Sequence, residues 1–583
     1  MPQNLKVILC SHQPGATRFP DEDEAQKVPL GTWRNNVTAL SQHHNLYLVA
    51  YLDRIYVYQP RYPDQIVGGL GEAVGYFELP KSRPRLRGYI NPGKPQGVNH
   101  LMVRALGEEE ILILACDGGD VIAYRIRDIL KVLCQPSSHP SPMELVLFAF
   151  FHENVGASVW GIDVHRTSRL IAISSNSHEI VIFAFALTSR PDQFLVPCKM
   201  KETLRGVASS HDYGHGRAAF LCCGISPCKG PLSTEWKVPE NGDCRFRRTE
   251  NNYAWSLRGH STNIPAIAFY NNPTDPSGKV VLASTDINRK TYAWDVWDSK
   301  SQQINPNTDI EDVLGAVLQS QAESSSMVNL DDYGEDSGEE EEDGEQESQE
   351  VDQDDLSEAI GIDLEPAEVS ASHVVGEIAA LSDSDRVISR QAEYIPIAPP
   401  SEISKHSPCN FLCTTESDVF LTDGRFMDRG AKPSNGRLLC EKSLMQAIPS
   451  EFVANRPMER LNMVSQIPEL GLVAIGNQVG RVGLYTMTFW PERQDYGFKV
   501  EAILPFDSEE RQGKRPHVAP LLGIAVSPVQ GHFQRPYSPS TEASSKDHNE
   551  IERKFRLLMY YTDHTILAYE ISRPIKDEEV LVC

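Results

Sequence analysis

The chain has 583 residues, 40% of them hydrophobic, and a formal net charge of −25 at pH 7. This apolar content is sufficient for a large core, whereas the negative charge argues against direct binding of nucleic acid, which needs clustered Lys and Arg. No apolar run approaches the roughly 20 residues of a transmembrane helix. The 12 cysteines, several of them within apolar runs, indicate free thiols in a reducing compartment. We therefore expect a protein of the nucleus or the cytoplasm, with no membrane partner.

Six stretches along the chain share one layout, in which a β-rich run is followed by a turn with Asp or Asn and by a second run that ends on an aromatic residue. Asx residues between two β-rich runs are typical of hairpin turns. A third short strand, such as 159–165, 264–270 or 521–528, precedes most of the hairpins, and a weaker seventh unit spans 410–424. The turn and closing residues are Asp53 and Tyr58, Asp117 and Tyr124, Asn176 and Phe183, Asp286 and Trp294, Asn477 and Tyr485, and Asp563 and Tyr569.

Repeated units of three or four strands are typical of β-propeller blades. We predict an all-β fold, a seven-bladed WD-type β-propeller with long loops, with four blades in residues 1–300 and three in residues 396–583. The units recur at intervals of about 60 residues, against 40 to 45 in a compact WD repeat. We assign the surplus to loops such as 59–97 and 209–246. The alternative, two unrelated β domains, does not explain one hairpin layout along the whole chain.

The clearest unit has the Gly-His to Trp-Asp frame of a WD repeat. A Gly-His pair ending at His260 precedes its first strand, Ser284 and Asp286 lie at its hairpin turn, and a Trp-Asp pair beginning at Trp294 closes its third strand. In such a blade these four side chains share one chain of hydrogen bonds. We interpret the quartet as structural rather than catalytic, because the scaffold role is a sufficient reason for these residue types.

Residues 301–395 separate the two halves of the repeat and differ from them in composition. The segment 331–355 holds 15 Asp or Glu and no Lys or Arg, which accounts for 15 of the 25 net negative charges. Such a sequence cannot bury enough apolar surface to offset its chain entropy. We predict a disordered acidic insert, which serves either as a solvated spacer or as a partner-binding element.

Two features favour partner binding by this insert. Thr308 and Glu311 form a capping box that begins a predicted short amphipathic helix, which either pads the propeller or binds a partner groove. Residues 354–366 mix acids with Leu and Ile in the manner of peptides that fold on binding. The apolar face of the predicted helix consists of Ile310, Val313, Leu314, Val317 and Leu318.

Ser-Gln dipeptides, which DNA-damage checkpoint kinases select, occur five times in the sequence. Two of them, at Ser41 and Ser465, lie far from the acidic insert, whereas three lie in or beside it. Phosphate there would add charge to a segment that is already negative. We hypothesise a damage-responsive switch. The candidate phosphorylation sites are Ser301, Ser320 and Ser348, together with Ser337 as an acidophilic kinase site.

The sequence carries no motif for catalysis or for a cofactor. It has no phosphate loop, nucleophile elbow or zincin motif, so we predict a non-enzymatic protein without a cofactor, whose partners are proteins. His and Cys residues between 211 and 244 leave a zinc site as an alternative. Zinc sites are strongly signalled by paired CxxC knuckles, and none is present.

The stretch from Gly259 to Asp298, with its Ser-Thr-Asn-Ile-Pro opening and its Trp-Asp-x-Trp close, resembles the fungal WD-repeat regulators of ribonucleotide reductase gene transcription, the constitutive-RNR-transcription family. Residues 460–485 and 520–530 are similar to that family as well, as is the acidic break between the fourth unit and the remainder. The resemblance implies a nuclear or nucleocytoplasmic protein that affects expression of the enzyme supplying deoxynucleotides. It also implies action through protein contacts and an association with the DNA-damage response.

Two other functions stay open. WD propellers also serve as substrate receptors of cullin ubiquitin ligases, and those receptors often carry Trp-Asp-x-Arg at a blade end, where this chain has Trp297. Some propellers hydrolyse substrates in the central channel, which requires several carboxylates or histidines to converge there. The sequence shows no such set. A protein-interaction scaffold is therefore the predicted function, with the ligase receptor and the hydrolase as alternatives.

Overall fold

The fold is given by a computed structural model. Several predicted features lie outside the residues that it describes: the insert from residue 305 to 395, with its predicted helix, and the segment 209–246 apart from Trp236. The described residues are 5–18, 35–80, 96–135, 142–156, 158–186, 236, 252–270, 280–288, 290–297, 300–304, 410–414, 418–423, 437–440, 443–444, 458–490, 495–516, 519–532 and 552–574.

Strands rich in β-branched and aromatic residues make up more than half of the described chain, which also has three short helices, α1 (Gly15–Arg18), α2 (Ile126–Leu133) and α3 (Asp507–Arg511). The strands in chain order are β1 (Lys6–Gln13), β2 (Thr38–Leu40), β3 (Tyr47–Tyr51), β4 (Arg54–Tyr58), β5 (Gly75–Glu78), β6 (Val98–Leu106), β7 (Glu109–Cys116), β8 (Asp120–Arg125), β9 (Met143–Glu144), β10 (Phe151–Asn154), β11 (Val159–His165), β12 (Leu170–Ser175), β13 (Glu179–Ala184), β14 (Tyr253–Arg258), β15 (Ala266–Phe269), β16 (Val281–Thr285), β17 (Thr291–Asp295), β18 (Lys300–Ile304), β19 (Asn410–Thr414), β20 (Val419–Asp423), β21 (Arg437–Cys440), β22 (Met463–Ile467), β23 (Leu472–Gly476), β24 (Val482–Trp490), β25 (Asp495–Leu504), β26 (Leu521–Pro528), β27 (Glu552–Tyr561) and β28 (Ile566–Pro574).

Six sheets in the described residues have at least four strands each, which is the size of a complete propeller blade. Each of the six predicted hairpins is present and supplies two neighbouring strands of one blade. We number the blades in chain order: blade 1 is β2, β3, β4, β5 and β9; blade 2 is β6, β7, β8 and β10; blade 3 is β11 to β14; blade 4 is β15 to β18; blade 5 is β22 to β25; and blade 6 is β26, β27, β28 and β1.

The described residues thus contain six complete blades, where the sequence predicted seven. The predicted unit at 410–424 does form β19 and β20, but with β21 it makes a sheet of three strands. Residues 424–436 and 445–457 beside it lie outside the described residues, so no fourth strand is described at its edge. Two boundaries also change. The predicted loop 59–97 contains β5, and residues 301–304 of the predicted insert belong to β18, which pairs with β17.

The blades stack side by side through their first strands. β2 contacts β6 and β26, β11 contacts β6 and β15, and β22 contacts β26. Blade 6 combines distant parts of the chain, since β1 pairs antiparallel with β28 and Lys6 lies opposite Ser572. This strand pairing joins blades from distant parts of the chain without a covalent bond. The outer strand β1 precedes blade 1 in the sequence, whereas the three inner strands follow blade 5.

The core lies between neighbouring blades, where apolar residues of adjacent sheets pack together. The second strands β3, β12 and β23 are buried along their whole length. This explains why they appear in the sequence as continuous apolar runs rather than as alternating ones. Among the described residues, Trp294 is the largest fully buried side chain. It packs with residues of blades 3 and 4.

The chain between β8 and β10 departs from the pattern of the other blades. α2 buries Ile126 and Ile129, and β9 then pairs in parallel with β5 at the outer edge of blade 1. β10 returns to blade 2 as its outer strand. Residues 145–150, which we call the rim segment, therefore cross from the outer edge of one blade to that of the next. None of the described helices is long and apolar enough to span a membrane.

Candidate functional site

The predicted quartet forms one continuous chain of hydrogen bonds in blade 4. The Trp294 indole N–H on β17 donates to Ser284 Oγ on β16 over 2.7 Å. His260, which precedes β15, places Nε2 2.7 Å from Ser284 Oγ and Nδ1 2.9 Å from Asp286 Oδ2. The Asp286 carboxylate only accepts, so His260 donates to it from Nδ1–H. Nε2 of the neutral imidazole then accepts the proton of the Ser284 hydroxyl, whose oxygen accepts from Trp294.

The electrostatics of the quartet favour a neutral imidazole. Burial lowers the pKa of His260, and the hydrogen bond and charge of Asp286 oppose that shift. The rings of Tyr292 and Trp294 lie against the imidazole, and a Cβ on Gly259 would approach the Trp294 ring to 3.0 Å. The His-Asp pair is therefore enclosed on several sides and has no room for a substrate. Its hydrogen bonds stabilise blade 4.

The hydrogen bonds of the quartet connect two parts of the blade: the turn after the second strand and the residues before the first strand, which we call the lead-in. Blades 2 to 6, blade 4 included, also make this connection through the main chain, where a turn N–H donates to a lead-in carbonyl. The sequence did not reveal these bonds, although their Asx turns were visible. The bonds are Asp117 to Gly97 (2.8 Å), Asn176 to Ser158 (3.1 Å), Ile287 to Asn263 (3.0 Å), Gln478 to Met458 (3.1 Å) and Thr562 to Pro520 (2.9 Å).

Blades 2 and 3 share a second buried polar link that sequence reasoning missed. Ser158 Oγ, in the lead-in of blade 3, donates to Asp117 Oδ1 in the turn of blade 2 over 3.2 Å. Asn99 Nδ2 on β6 donates to Ser158 Oγ over 3.1 Å. All three residues are buried. A search for small polar residues directly before each predicted first strand would have found Ser158.

First strands line the central channel of a propeller, and the titratable groups on them bear on the hydrolase alternative. Arg104 Nε on β6 lies 3.9 Å from Asp163 Oδ1 on β11. Asp163 Oδ2 accepts the Phe269 N–H of blade 4 over 2.6 Å, and burial raises the pKa of this carboxyl group. Within the described ranges no three His, Cys, Asp or Glu side chains come close enough together to hold a metal ion.

The other predicted site residues are placed only in part. Ser301 lies in β18, with its Cα opposite that of Trp294. Ser320, Ser337 and Ser348, the helix face from Ile310 to Leu318 and the His and Cys residues between 211 and 244 lie outside the described residues.

Trp297, the residue that distinguishes this chain from cullin receptors with Trp-Asp-x-Arg, follows β17 of blade 4 and packs against blade 3. Its ring centroid lies 5.9 Å from that of Trp255 on β14, with 33° between the ring planes. Both rings pack against the core cluster between blades 3 and 4. The position that carries a charged docking group in such receptors is therefore used here for apolar packing between blades.

The sheet topology and the assembled quartet define the protein as an all-β, WD40-like β-propeller. No family model matches the chain. A curated relative, an uncharacterized WD repeat-containing protein of Schizosaccharomyces pombe, is 28% identical over 211 residues, which are 35% of this chain and 39% of the relative. The chain thus matches about two fifths of that relative's length. Among solved structures, the WD40 domain of Toxoplasma gondii coronin aligns with a TM-score of 0.39 and 9% identity, over 100% of this chain and 90% of that one.

Proposed function

We propose that the chain is a non-enzymatic WD-repeat interaction scaffold that regulates transcription of ribonucleotide reductase genes, in the nucleus or between nucleus and cytoplasm. The observation that carries the proposal is blade 4, since most of the stretch that resembles those regulators folds there around the buried quartet. Residues 460–485 and 520–530 contribute strands to blades 5 and 6. The resemblance is therefore spread over three blades rather than confined to one motif.

Protein contacts are the means of action that the architecture supports. The His-Asp pair of blade 4 is enclosed and serves packing, and the described first strands bring Asp163 together with Arg104 rather than with a second carboxylate. The relative in Schizosaccharomyces pombe is likewise a WD-repeat protein. We propose that the partners are transcription-regulatory proteins.

We also propose that the three-stranded sheet β19 to β21 is a seventh blade of the propeller.

Three of the five Ser-Gln serines lie among the described residues, and each of them belongs to the folded blades. Ser41 is fully buried and its Oγ donates to Glu110 Oε2 over 2.6 Å, and Ser465 lies in the first strand β22. Ser301 belongs to an outer strand whose backbone pairs with β17. A kinase binds an accessible, extended segment, so burial disfavours Ser41 and strand pairing disfavours Ser301 and Ser465. We propose Ser320 and Ser348 as the Ser-Gln sites of the switch.

The test replaces the gene with variants and measures ribonucleotide reductase transcripts before and after DNA damage. The variant carrying both Ser320→Ala and Ser348→Ala should blunt the damage-induced change, while the matched Ser-Gln control Ser465→Ala should respond like the wild type. An unaltered response of the double variant removes the switch. Transcripts that do not change when the whole gene is deleted overturn the proposed function.

Proximity labelling of the full chain, with and without DNA damage, separates the scaffold from the ligase receptor. The proposal expects transcription-regulatory proteins among the labelled partners. Recovery of a cullin and its propeller-type linker without such proteins would instead establish the receptor role, despite the packing of Trp297 on Trp255.

A further inference from the structure

The outer edge of blade 1 carries exposed side chains at alternating positions where β9 continues into the rim segment. We call residues 144–148 the exposed edge. Val146 is 72% exposed and Phe148 48% exposed, whereas Leu145 is buried and Leu147 packs against the core. This alternation is typical of an extended chain, in which successive side chains point to opposite faces. Glu144 is exposed as well, so the outward face has the order acid, valine, phenylalanine.

The main chain of the exposed edge has unpaired hydrogen-bonding groups. The Leu145 N–H donates to the Tyr76 carbonyl on β5 over 2.7 Å. Main-chain groups alternate between the two edges of a strand, so those of Glu144 and Val146 point away from β5. Within the described residues, no hydrogen bond involves the main chain of residues 146–148. The exposed edge therefore presents the groups with which a further strand pairs.

The exposed edge lacks the usual protection against strand pairing. Sheet edges in natural proteins are protected by Lys, by Pro or by a covering segment. Residues 144–148 include neither Lys nor Pro, and their single charge is that of Glu144. The cation on the neighbouring strand β4, Arg54, already pairs with Glu78 over 2.6 Å. An unprotected edge with contiguous apolar side chains is a site for pairing with another chain.

The order of the side chains determines which chain fits the exposed edge. Residues directly opposite each other on two strands interact, and opposite charges are favourable there. A second copy of this chain, paired antiparallel about Val146, would place the Glu144 carboxylate against the Phe148 ring. Covering that carboxylate without a cation is unfavourable. A complementary strand instead has Lys or Arg opposite Glu144 and apolar side chains opposite Val146 and Phe148.

We propose that the exposed edge is a docking site for an extended segment of a partner protein, which adds a strand to blade 1. The segment carries Lys or Arg opposite Glu144, and its apolar side chains cover Val146 and Phe148. Main-chain hydrogen bonds supply affinity in such an addition, and alternate side chains supply specificity. The inference rests on the proposed function as an interaction scaffold and adds the position and the chemistry of one partner contact.

Fluorescence polarisation with the purified full chain tests the proposal. The probe is the labelled peptide Thr-Ile-Thr-Val-Thr-Lys-Thr, whose Lys lies opposite Glu144 in antiparallel pairing, and a second peptide has Glu in place of the Lys. The wild type should bind the first peptide about fivefold more tightly than the second, and Glu144→Lys should reverse this preference. Equal binding of the two peptides, binding of neither, or a preference that Glu144→Lys leaves unchanged overturns the proposal.

A pair of matched variants locates the binding on blade 1. Ile8, which is 41% exposed, lies on β1, the outer strand of blade 6. Phe148→Ser should weaken binding of the first peptide about tenfold, because less apolar surface is covered, whereas Ile8→Ser should leave it unchanged. Equal weakening by both variants would show that the peptide pairs with any outer strand, and this would overturn the proposal.

Amide hydrogen exchange of the wild type measures the main-chain pairing without any substitution. Excess first peptide should slow the exchange of the Glu144 and Val146 amides, because their N–H groups become hydrogen-bonded to the added strand. Exchange that the peptide leaves unchanged overturns the proposal.

Sedimentation velocity distinguishes the partner segment from a second copy of this chain. Wild type and Phe148→Ser should sediment equally. A dimer that Phe148→Ser dissociates would assign the exposed edge to self-association and overturn the proposal. All of these measurements use purified protein, so they fail or succeed independently of the transcript measurements.

Discussion

Blades 4 and 5 share a main-chain bond between the turn and the lead-in but reinforce it with different side chains. Both have to fasten the turn after the second strand to the lead-in. Blade 4 adds the side-chain quartet to its main-chain bond, and in this quartet Asp286 in the turn accepts a hydrogen bond from His260 in the lead-in. In blade 5, the turn residue Asn477 donates from Nδ2 to the Glu459 carbonyl over 3.1 Å and accepts the Gly480 N–H at Oδ1 over 3.3 Å.

The closing aromatic residues of the two blades differ in the same way. Trp294 and Tyr485 occupy the fourth positions of β17 and β24. Trp294 donates to Ser284 within its own blade, whereas the Tyr485 hydroxyl donates to the Ser443 carbonyl, outside blade 5, over 2.6 Å. The comparison teaches that a blade requires the connection and not the motif, because main-chain and amide groups satisfy the same donors and acceptors.

The largest effect on the free energy of unfolding is expected from Trp294→Ala in blade 4. Removing a buried aromatic side chain of this size should lower the free energy of unfolding by roughly 3 to 5 kcal/mol, and it also leaves Ser284 without its indole donor. Denaturant unfolding followed by circular dichroism measures the change. The matched control is Trp297→Ala, three residues on and only partly buried, which should cost less. Equal losses for the two variants would show that the quartet is not the anchor of blade 4.

The histidines of blades 3 and 4 should contribute differently to the loss of stability in acid. His165 at the end of β11 is buried, and its pKa falls from 6.5 to about 4 because burial disfavours the charged ring. The unfolded chain therefore binds the proton first, so stability present above pH 6.5 is lost as the pH falls from 6.5 towards 4. At about 1.4 kcal/mol per unit, the loss is on the order of 2 to 3 kcal/mol.

His165→Gln should reduce this acid dependence of the unfolding free energy, measured between pH 7 and pH 4.5. His260→Gln should reduce it less, because Asp286 opposes the lowering of the His260 pKa. A larger reduction from the blade 4 variant would contradict this assignment. Both variants require the unfolding midpoint at pH 7 as a reference, since each also changes hydrogen bonds of the folded state.

The hairpins were predictable from the sequence because their signals are local. Two β-rich runs and one Asx turn lie within about 15 residues of each other, and the quartet occupies a frame of known spacing. Outer strands were not predictable in this way. β14 follows its partner β13 after 68 residues, and β9 joins the preceding blade in parallel. Their pairing is decided by contacts between distant segments, which local propensity does not encode.

The packing of Trp236 on aromatic residues of blades 2 and 3 and the link from Asp117 through Ser158 to Asn99 were missed for a related reason. Each joins residues from separate elements, and no single stretch contains more than two of them. Phe183 was identified only as the closing residue of a hairpin, although it also contacts Trp236, 53 residues later. Only the folded arrangement of blades 2 and 3 shows that these rings meet.

A smaller effect should come from Asn477→Ala in blade 5. The substitution removes both side-chain hydrogen bonds of the turn and should lower the free energy of unfolding by about 1 to 2 kcal/mol. The matched control is Asn176→Ala in the turn of blade 3, where Oδ1 has no hydrogen-bond partner among the described residues. Denaturant unfolding of both variants provides the measurement. If Asn176→Ala lowers the free energy of unfolding by as much as Asn477→Ala, the side-chain hydrogen bonds of Asn477 do not stabilise blade 5.

The smallest effect should come from deleting residues 307–388, between blades 4 and 5. All described strands belong to the unit formed by residues 1–306 and 389–583, so the deletion removes no blade. It shortens the connection from β18 to β19 from 105 residues to 23. Two halvings of connection length lower the closure cost by about 1.2 kcal/mol. We expect the unfolding free energy to stay unchanged or to rise by about that amount. A fall, or a loss of β content, would show that blades 4 and 5 depend on the insert itself.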